Sequence, residues 1–272
     1  MRQMRALRDC DFRDGASNMA VDCAILEAVA AGDQPPTLRL YGWAPFCLSL
    51  GYGQRMRDVD LDALAARGWQ LVRRPTGGKA ILHGDELTYS LCLPLDHPLA
   101  GGDVVESYRR ISAGLLRALE CLGLCVQAHP QSERPRHANL GPVCFELPSH
   151  YEVSFGGRKL IGSAQLRRKG GLLQHGTLPL CGDVARICDA LRFDSDETRA
   201  RQQVKVRDRA LTLAQAAGEA LSWSAAADAI EAGFVLAFNL ELISGCLSTA
   251  ESQRAAALAQ NRFANPDWTH KR

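Results

Sequence analysis

The sequence predicts an α+β fold, a largely antiparallel or mixed β-sheet layered with helices. Three observations predict it. Short apolar runs are bounded by Gly and Pro, longer helical stretches fall between them, and Gly156-Gly157 joins two alternating segments in the manner of a tight hairpin.

Taken in order, Asn18 reads as the cap of a helix carrying Met19, Val21, Ile25, Leu26 and Val29, with Gly32 ending it. Thr37 to Tyr41 and Cys47 to Leu50 read as strands separated by Gly42 and Pro45. Asp60 to Arg67 is a short helix stopped by Gly68, and Trp69 to Arg74 a strand that leaves two arginines at its end. The loop Pro75-Thr76-Gly77-Gly78-Lys79 follows. Strands over Ala80 to His83 and Glu86 to Leu93 lie on its far side, and a hairpin is the expected geometry. Val104 to Leu122 has the spacing of an amphipathic helix closed by Gly123. Residues 129 to 142, rich in Pro, Ser, Arg and Asn, read as a polar loop leading to Cys144, of the kind that often acts as a lid.

In the hairpin at Gly156-Gly157, Phe155 should face Arg158 and Ser154 should face Lys159. Strand alternation then gathers Glu152, Ser154, Lys159, Ser163 and Gln165 on one polar face that also receives Ile161, with Val153, Phe155 and Leu160 on the other. A further strand spans Leu172 to Leu180, and from about Val184 the chain is mostly helical, with capping boxes at Thr212/Gln215 and Ser248/Glu251. The expected organisation is a single domain over 1–272 with a helical C-terminal part from about 182.

Composition narrows the function classes. The 272 residues are 46% hydrophobic and 23% charged, which is the profile of a folded chain. Thirty-two basic against thirty acidic side chains give a net charge of +2, so neither nucleic acid nor a membrane surface is an expected partner. No apolar run is long enough to cross a bilayer, and Met1 to Asp14 contains no apolar export region, so a cytoplasmic location is expected. The ten cysteines include no C-x-x-C pair, so no metal site is expected and each reads first as a small buried hydrophobe.

Two segments carry possible chemistry. Arg73-Arg74-Pro75-Thr76-Gly77-Gly78-Lys79 sets glycines beside three cations, which fits an anion pocket and, read alone, fits a charged hairpin turn as well. Lys159 stands on a strand three residues before Gly162. A lysine held by a sheet can fix a carbonyl oxygen or a phosphate, or activate a thiol, and it can equally be a solvated strand residue. His83 and His175 are similarly open.

Together the motifs resemble the biotin/lipoate protein ligase superfamily, specifically its lipoate branch. The resemblance runs from Asn18-Met19-Ala20-Val21-Asp22 through Leu38 to Trp43, Ser49 to Gln54, Arg73 to His83 and Leu87 to Ser90, then Lys159 to Gln165 and Leu173 to Thr177. Within that branch, Pro142 to Glu152 is similar to the nucleophile segment of LipM-type octanoyltransferases, which singles out Cys144. Lys79 departs from the Gly or Arg that such loops commonly carry.

The resemblance implies a catalytic domain of that superfamily's fold. The activity it implies is transfer of octanoyl from octanoyl-acyl carrier protein to a lysine of apo lipoyl domains, such as glycine cleavage H protein and E2 subunits. Cys144 and Lys159 are the implied catalytic pair. Arg73, Arg74, Thr76, Gly77, Gly78, His83, Gly162, Ser163, Ala164 and His175 are the implied substrate-binding residues, and no cofactor or metal is needed. A thioester donor exchanging with a cysteine makes another thioester without ATP, and aminolysis then makes the sequence favourable. A free thiol is only a few per cent ionised at neutral pH, so a nearby cation such as Lys159 matters. The acceptor ammonium must lose a proton, to Lys159 or His83. Leu82, Tyr89 and Ile161 are expected walls for the acyl chain, whose burial supplies about 0.8 kcal/mol per methylene. Rival readings are an ATP-dependent lipoate-protein ligase, an octanoyl amidotransferase between lipoyl domains, and a non-catalytic protein binding lipoyl domains or acyl chains. A monomer is the default expectation.

Overall fold

The computed structural model describes residues 2–130 and 151–271. Eleven strands and eight α-helices among them arrange around a mixed eight-stranded sheet and a smaller three-stranded one, as the α+β expectation has it. The large sheet has the order β11 (Leu240–Ser244), β1 (Arg2–Arg13), β2 (Thr37–Trp43), β6 (Glu86–Pro94), β10 (Gly171–Pro179), β9 (Arg158–Arg168), β8 (Tyr151–Phe155) and β7 (Gln127–Pro130). β1 runs parallel to both its neighbours, and the remaining pairs are antiparallel.

Alternation along the central strands sends side chains to two apolar layers. Leu38 and Leu40, with Leu87, Tyr89, Leu91 and Leu93, point to a layer covered by α3 (Val104–Cys121) and α6 (Trp223–Phe238). Tyr41, Trp43, Cys92 and Leu173 point the other way, under α1 (Gly15–Ala31) and α7 (Thr249–Leu258). Near the start of α1 lies the small sheet, in the order β4 (Gln70–Arg73), β3 (Cys47–Leu50), β5 (Ile81–His83). No helix among the described residues is long and apolar enough to cross a membrane.

Several elements differ from the sequence reading. The first helix is capped by Asp14, whose side chain accepts from Ser17 N, and Asn18 lies buried inside it, donating to the carbonyl oxygens of Arg13 and Gly42. The expected hairpin across Pro75 to Lys79 is absent because β3 sits between β4 and β5, parallel to one and antiparallel to the other, while β6 joins the large sheet. His129 and Pro130 belong to β7. The rest of the expected polar loop, with its lid reading, lies outside the described residues. β1 and β11 were not expected, and β11 interrupts the helical C-terminal part. Both capping boxes form as expected.

Candidate active site

The Gly156-Gly157 turn pairs Phe155 with Arg158 and Ser154 with Lys159, as its two-residue length requires. Beyond that the register slips by one: Val153 faces Ile161, leaving Leu160 as the extra residue of a β-bulge. A one-residue slip exchanges the faces of everything downstream. Ile161 therefore joins Val153 in the α3 layer, and the Ser163 hydroxyl, 2.8 Å from the Tyr89 phenol, points to that layer too. Gln165 does the same, donating to Ser107 of α3 at 3.1 Å. The expected polar face is thus corrected: Lys159 shares its side with Gly162 and Ala164, while Ser163 and Gln165 turn away.

This side borders a cavity between the two sheets. The large sheet contributes Tyr41 and Trp43 from β2, Thr88 from β6, Gly162 to Ala164 from β9 and His175 to Thr177 from β10. Met19 of α1, Ile81 and His83 of β5, and Arg74 and Gly78 complete it. Ile81, Met19, Tyr41 and Trp43 are its apolar walls. Leu82 packs on the opposite side of the small sheet, and Tyr89 and Ile161 belong to the α3 layer, so the walls expected from sequence are replaced. Lys159 is 4% exposed, and a Cβ added at Gly162 would stand 3.3 Å from its Cε and 3.8 Å from its Nζ. The lysine side chain thus packs across Gly162, itself a residue of the cavity wall.

Two histidines frame the cavity, each held at both ring nitrogens. His175 Nε2 lies 2.7 Å from the Thr76 hydroxyl and Nδ1 lies 3.1 Å from Asp22. Burial pushes the His175 imidazole down, against the pull of Asp22, so the ring is neutral with its proton on the nitrogen facing the carboxylate. His83 Nδ1 lies 2.7 Å from Glu86 and Nε2 lies 2.8 Å from Ser49, while Trp43 stacks on the ring at 3.9 Å. The Glu86 carboxylate only accepts, which fixes Nδ1 as a protonated nitrogen. Neither Ser49 nor Glu86 was singled out from the sequence; their partner His83 was, and the two-residue strand spacing between Glu86 and Thr88, which also bonds the carboxylate, was the available signal.

The arginines differ from the anion-pocket expectation. Arg73 is fully buried and donates to the carbonyl oxygens of Thr269, Gly51, Tyr52 and Gln54. Arg74 donates to Ser49, and with Nη2 to the carbonyls of Gly77 at 2.8 Å and Lys79 at 2.7 Å. The pair acts as an internal frame for the glycine loop, and among the loop's three cations only Lys79 is left half-exposed. Trp268 of α8 (Pro266–Thr269) donates to the Arg73 carbonyl at 2.8 Å, so the C-terminal segment is pinned to the same frame. Gly51 lies against the loop from below: a Cβ there would stand 2.0 Å from the Gly78 oxygen. Gly51→Ala is expected to push the loop outward and cost about 1–3 kcal/mol, read as a lower melting temperature together with slower acylation of the enzyme; a variant with parental values would place Gly78 elsewhere in solution.

Cys144 lies outside the described residues, as does most of its segment. Among the described residues no group of three or more His, Cys, Asp or Glu is placed to hold a metal.

Comparison with known proteins fits this geometry. The family model "Lipoyl protein ligase A/B catalytic domain" matches residues 14–235. An octanoyltransferase LipM of Symbiobacterium thermophilum is 41% identical over 270 residues, covering 98% of each chain. A second, from Kyrpidia tusciae, is 42% identical over 94% of this chain and 95% of its own. In fold, the chain is similar to a bipartite lipoate protein ligase of Thermoplasma acidophilum (TM-score 0.80, 22% identity, 99% and 95% covered) and to a lipoate-protein ligase A bound with ATP (TM-score 0.77, 22% identity, 99% and 98% covered).

Proposed function

The chain belongs to the lipoyl protein ligase A/B catalytic domain family and is an octanoyltransferase of protein lipoylation, and on that premise we propose that the octanoyl group rests on Cys144 between donor and acceptor. The observation that supports this most is the placement of Lys159, a buried lysine held on a strand and lying against Gly162, a residue of the cavity wall. An ammonium in that position favours a thiolate beside it and can receive the carbonyl oxygen as it becomes an oxyanion.

The donor is octanoyl-acyl carrier protein. The Cys144 thiolate attacks the thioester carbon, the bond to the donor sulfur breaks, and the departing thiolate takes a proton from Lys159. The acceptor is an apo lipoyl domain. Its lysine amine attacks the Cys144 thioester, the amide bond forms as the carbon–sulfur bond breaks, and the proton lost by the amine returns to Lys159. The imidazoles do not serve as this base in our reading, because His83 and His175 have both nitrogens engaged by Glu86, Ser49, Asp22 and Thr76. They set the shape of the cavity. Arg73, Arg74 and Thr76 hold the loop whose Gly77 and Gly78 face the acyl group, and Gly162, the Ser163 backbone and Ala164 form its opposite wall.

The test is intact-mass analysis after mixing with octanoyl carrier protein in the absence of ATP. An added octanoyl group that maps to Cys144 is expected. Modification that requires ATP would support a ligase, and octanoyl taken only from an octanoylated lipoyl domain would support an amidotransferase. Lys159→Met is expected to slow formation of that adduct by about 10²–10³-fold and to shift its pH dependence upward; an unaltered rate removes the lysine from the chemistry.

A further inference from the structure

The active-site face continues past His175. On β9 the residues following Gly162 and Ala164 on the same face are Leu166 and Arg168, and on α1 the turns after Met19 and Asp22 bring Cys23, Leu26, Glu27 and Ala30. Both lines finish together, since Leu26 and Ala30 meet Gly171 at the β9–β10 turn. Eight residues of helix from Asp22 to Ala30 span about 12 Å. Four residues of strand from Ala164 to Arg168 span about 13 Å.

A groove of about 480 Å³ opens at that end. Leu26, Leu166 and Leu258 are apolar residues of its lining, and Pro75, next to the His175-bonded Thr76, joins it to the glycine loop. Its rim carries Arg168, Lys169, Arg254 and Arg262 against one carboxylate, Glu27, which Arg254 already pairs at 2.6 Å. Arg262 is half-buried with its guanidinium 3.8 Å from the centre of the Trp268 ring, and its Nε is buried without a hydrogen-bond acceptor among the described residues. Burial, and the Arg168 charge beside it, lower its pKa. Cations gathered so that they repel one another, one with an unsatisfied N–H, form a site that an anion would relax.

We propose that this groove receives the phosphopantetheine arm of the acyl donor, with the phosphodiester among Arg168, Lys169 and Arg262 and the arm lying along Leu26 and Leu166 toward the cavity. The inference rests on the reading above that the donor is a carrier-protein thioester. An extended pantetheine arm is long enough to cover the span to the rim, and the arrangement favours a phosphate-bearing donor over an octanoyl-lysine, whose arm carries no phosphate.

The experiment measures the first half-reaction with octanoyl carrier protein, octanoyl phosphopantetheine and octanoyl pantetheine, for the parent and for Arg168→Gln/Lys169→Gln, whose two positions are exposed. In the variant, kcat/KM for octanoyl phosphopantetheine divided by that for octanoyl pantetheine is expected to fall about tenfold, with a matching rise of KM for the carrier protein. Arg262→Lys is expected to lower the same ratio. An unchanged ratio overturns the proposal, and a loss confined to the carrier protein overturns it in favour of a contact with the carrier's own surface. Should the parent accept octanoyl from a lipoyl domain and from none of the three donors, the donor reading itself fails and the groove assignment falls with it.

Discussion

Cys144→Ala is expected to abolish the octanoyl adduct and to lower transfer to a lipoyl domain by roughly three orders of magnitude or more. The size of the effect follows from what the other thiols can do. Cys23, Cys47, Cys92 and Cys188 are buried and none of them lines the cavity, and burial drives the first three thiols up, Cys23 to about 12. Burial keeps these thiols protonated at neutral pH, so their thiolates are too scarce to replace a nucleophile. Cys10, Cys121, Cys125, Cys181 and Cys246 are exposed and none of them lines the cavity. A direct attack by the acceptor amine on the donor thioester would still profit from the cavity and Lys159, which sets the residual rate. Single-turnover mass measurements on Cys144→Ala and Cys144→Ser separate the two half-reactions. Serine keeps the volume and loses the acidity of the thiol, so it should fail at acylation as alanine does. An adduct persisting in the alanine variant would move the nucleophile elsewhere, and ATP-dependent transfer at the parental rate would make the enzyme a ligase.

Much of the site was legible because its chemistry is local. The Gly-Gly turn fixes the Ser154–Lys159 pairing by its length alone, and Gly32 and the two capping boxes mark helix ends by side chains a few positions apart. The bulge at Leu160 was not legible. The residues on either side of the slip, Leu160 and Ile161, are both apolar, so the pattern reads the same with or without it, yet it decides which of Ser163 and Gly162 shares a face with Lys159. β1 was hidden for a different reason. It carries Arg5, and the neighbouring β2 carries Arg39; both arginines are buried by carboxylates, most of them distant in sequence: Glu251 for Arg5, and Asp9 and Asp22 for Arg39. A strand whose inward positions are charged looks like a surface strand until its partners are known. In the same way, Arg73 and Arg74 read as ligands for an anion because the carbonyls that receive them come from loops and from a C-terminal residue that only the fold brings near.

The largest stability effect is expected at Asp22. Its side chain is fully buried and accepts from Arg39 at 2.7 Å, Ser90 at 2.8 Å, the Tyr41 hydroxyl at 2.9 Å and His175 at 3.1 Å. Burial alone would neutralise it, but the hydrogen bond from His175 and the Arg39 guanidinium outweigh that and hold its carboxyl below the usual range. Removing it in Asp22→Ala leaves the fully buried Arg39 cation with Asp9 as its remaining carboxylate, and breaking one side of a buried charge pair costs about 3–5 kcal/mol. The linkage to pH has one sign. Because the folded carboxyl titrates below the unfolded one, its contribution is complete above the ordinary carboxylate range and is lost as pH falls through the folded value. His175, whose folded pKa is also depressed, adds stability that is complete above about 6.5 and declines below it, since the unfolded imidazole takes up the proton first. The parent should therefore lose stability on acidification in two stages, beginning with the imidazole and continuing with the carboxyl. Urea unfolding at a series of pH values reads both, and Asp22→Asn, which keeps the shape and removes the charge, should erase the second stage while also releasing the His175 tautomer that Thr76 depends on. An Asn variant that keeps the parental acid profile would show that Asp9 alone balances Arg39, and that the carboxylate under the cavity serves only to orient the ring.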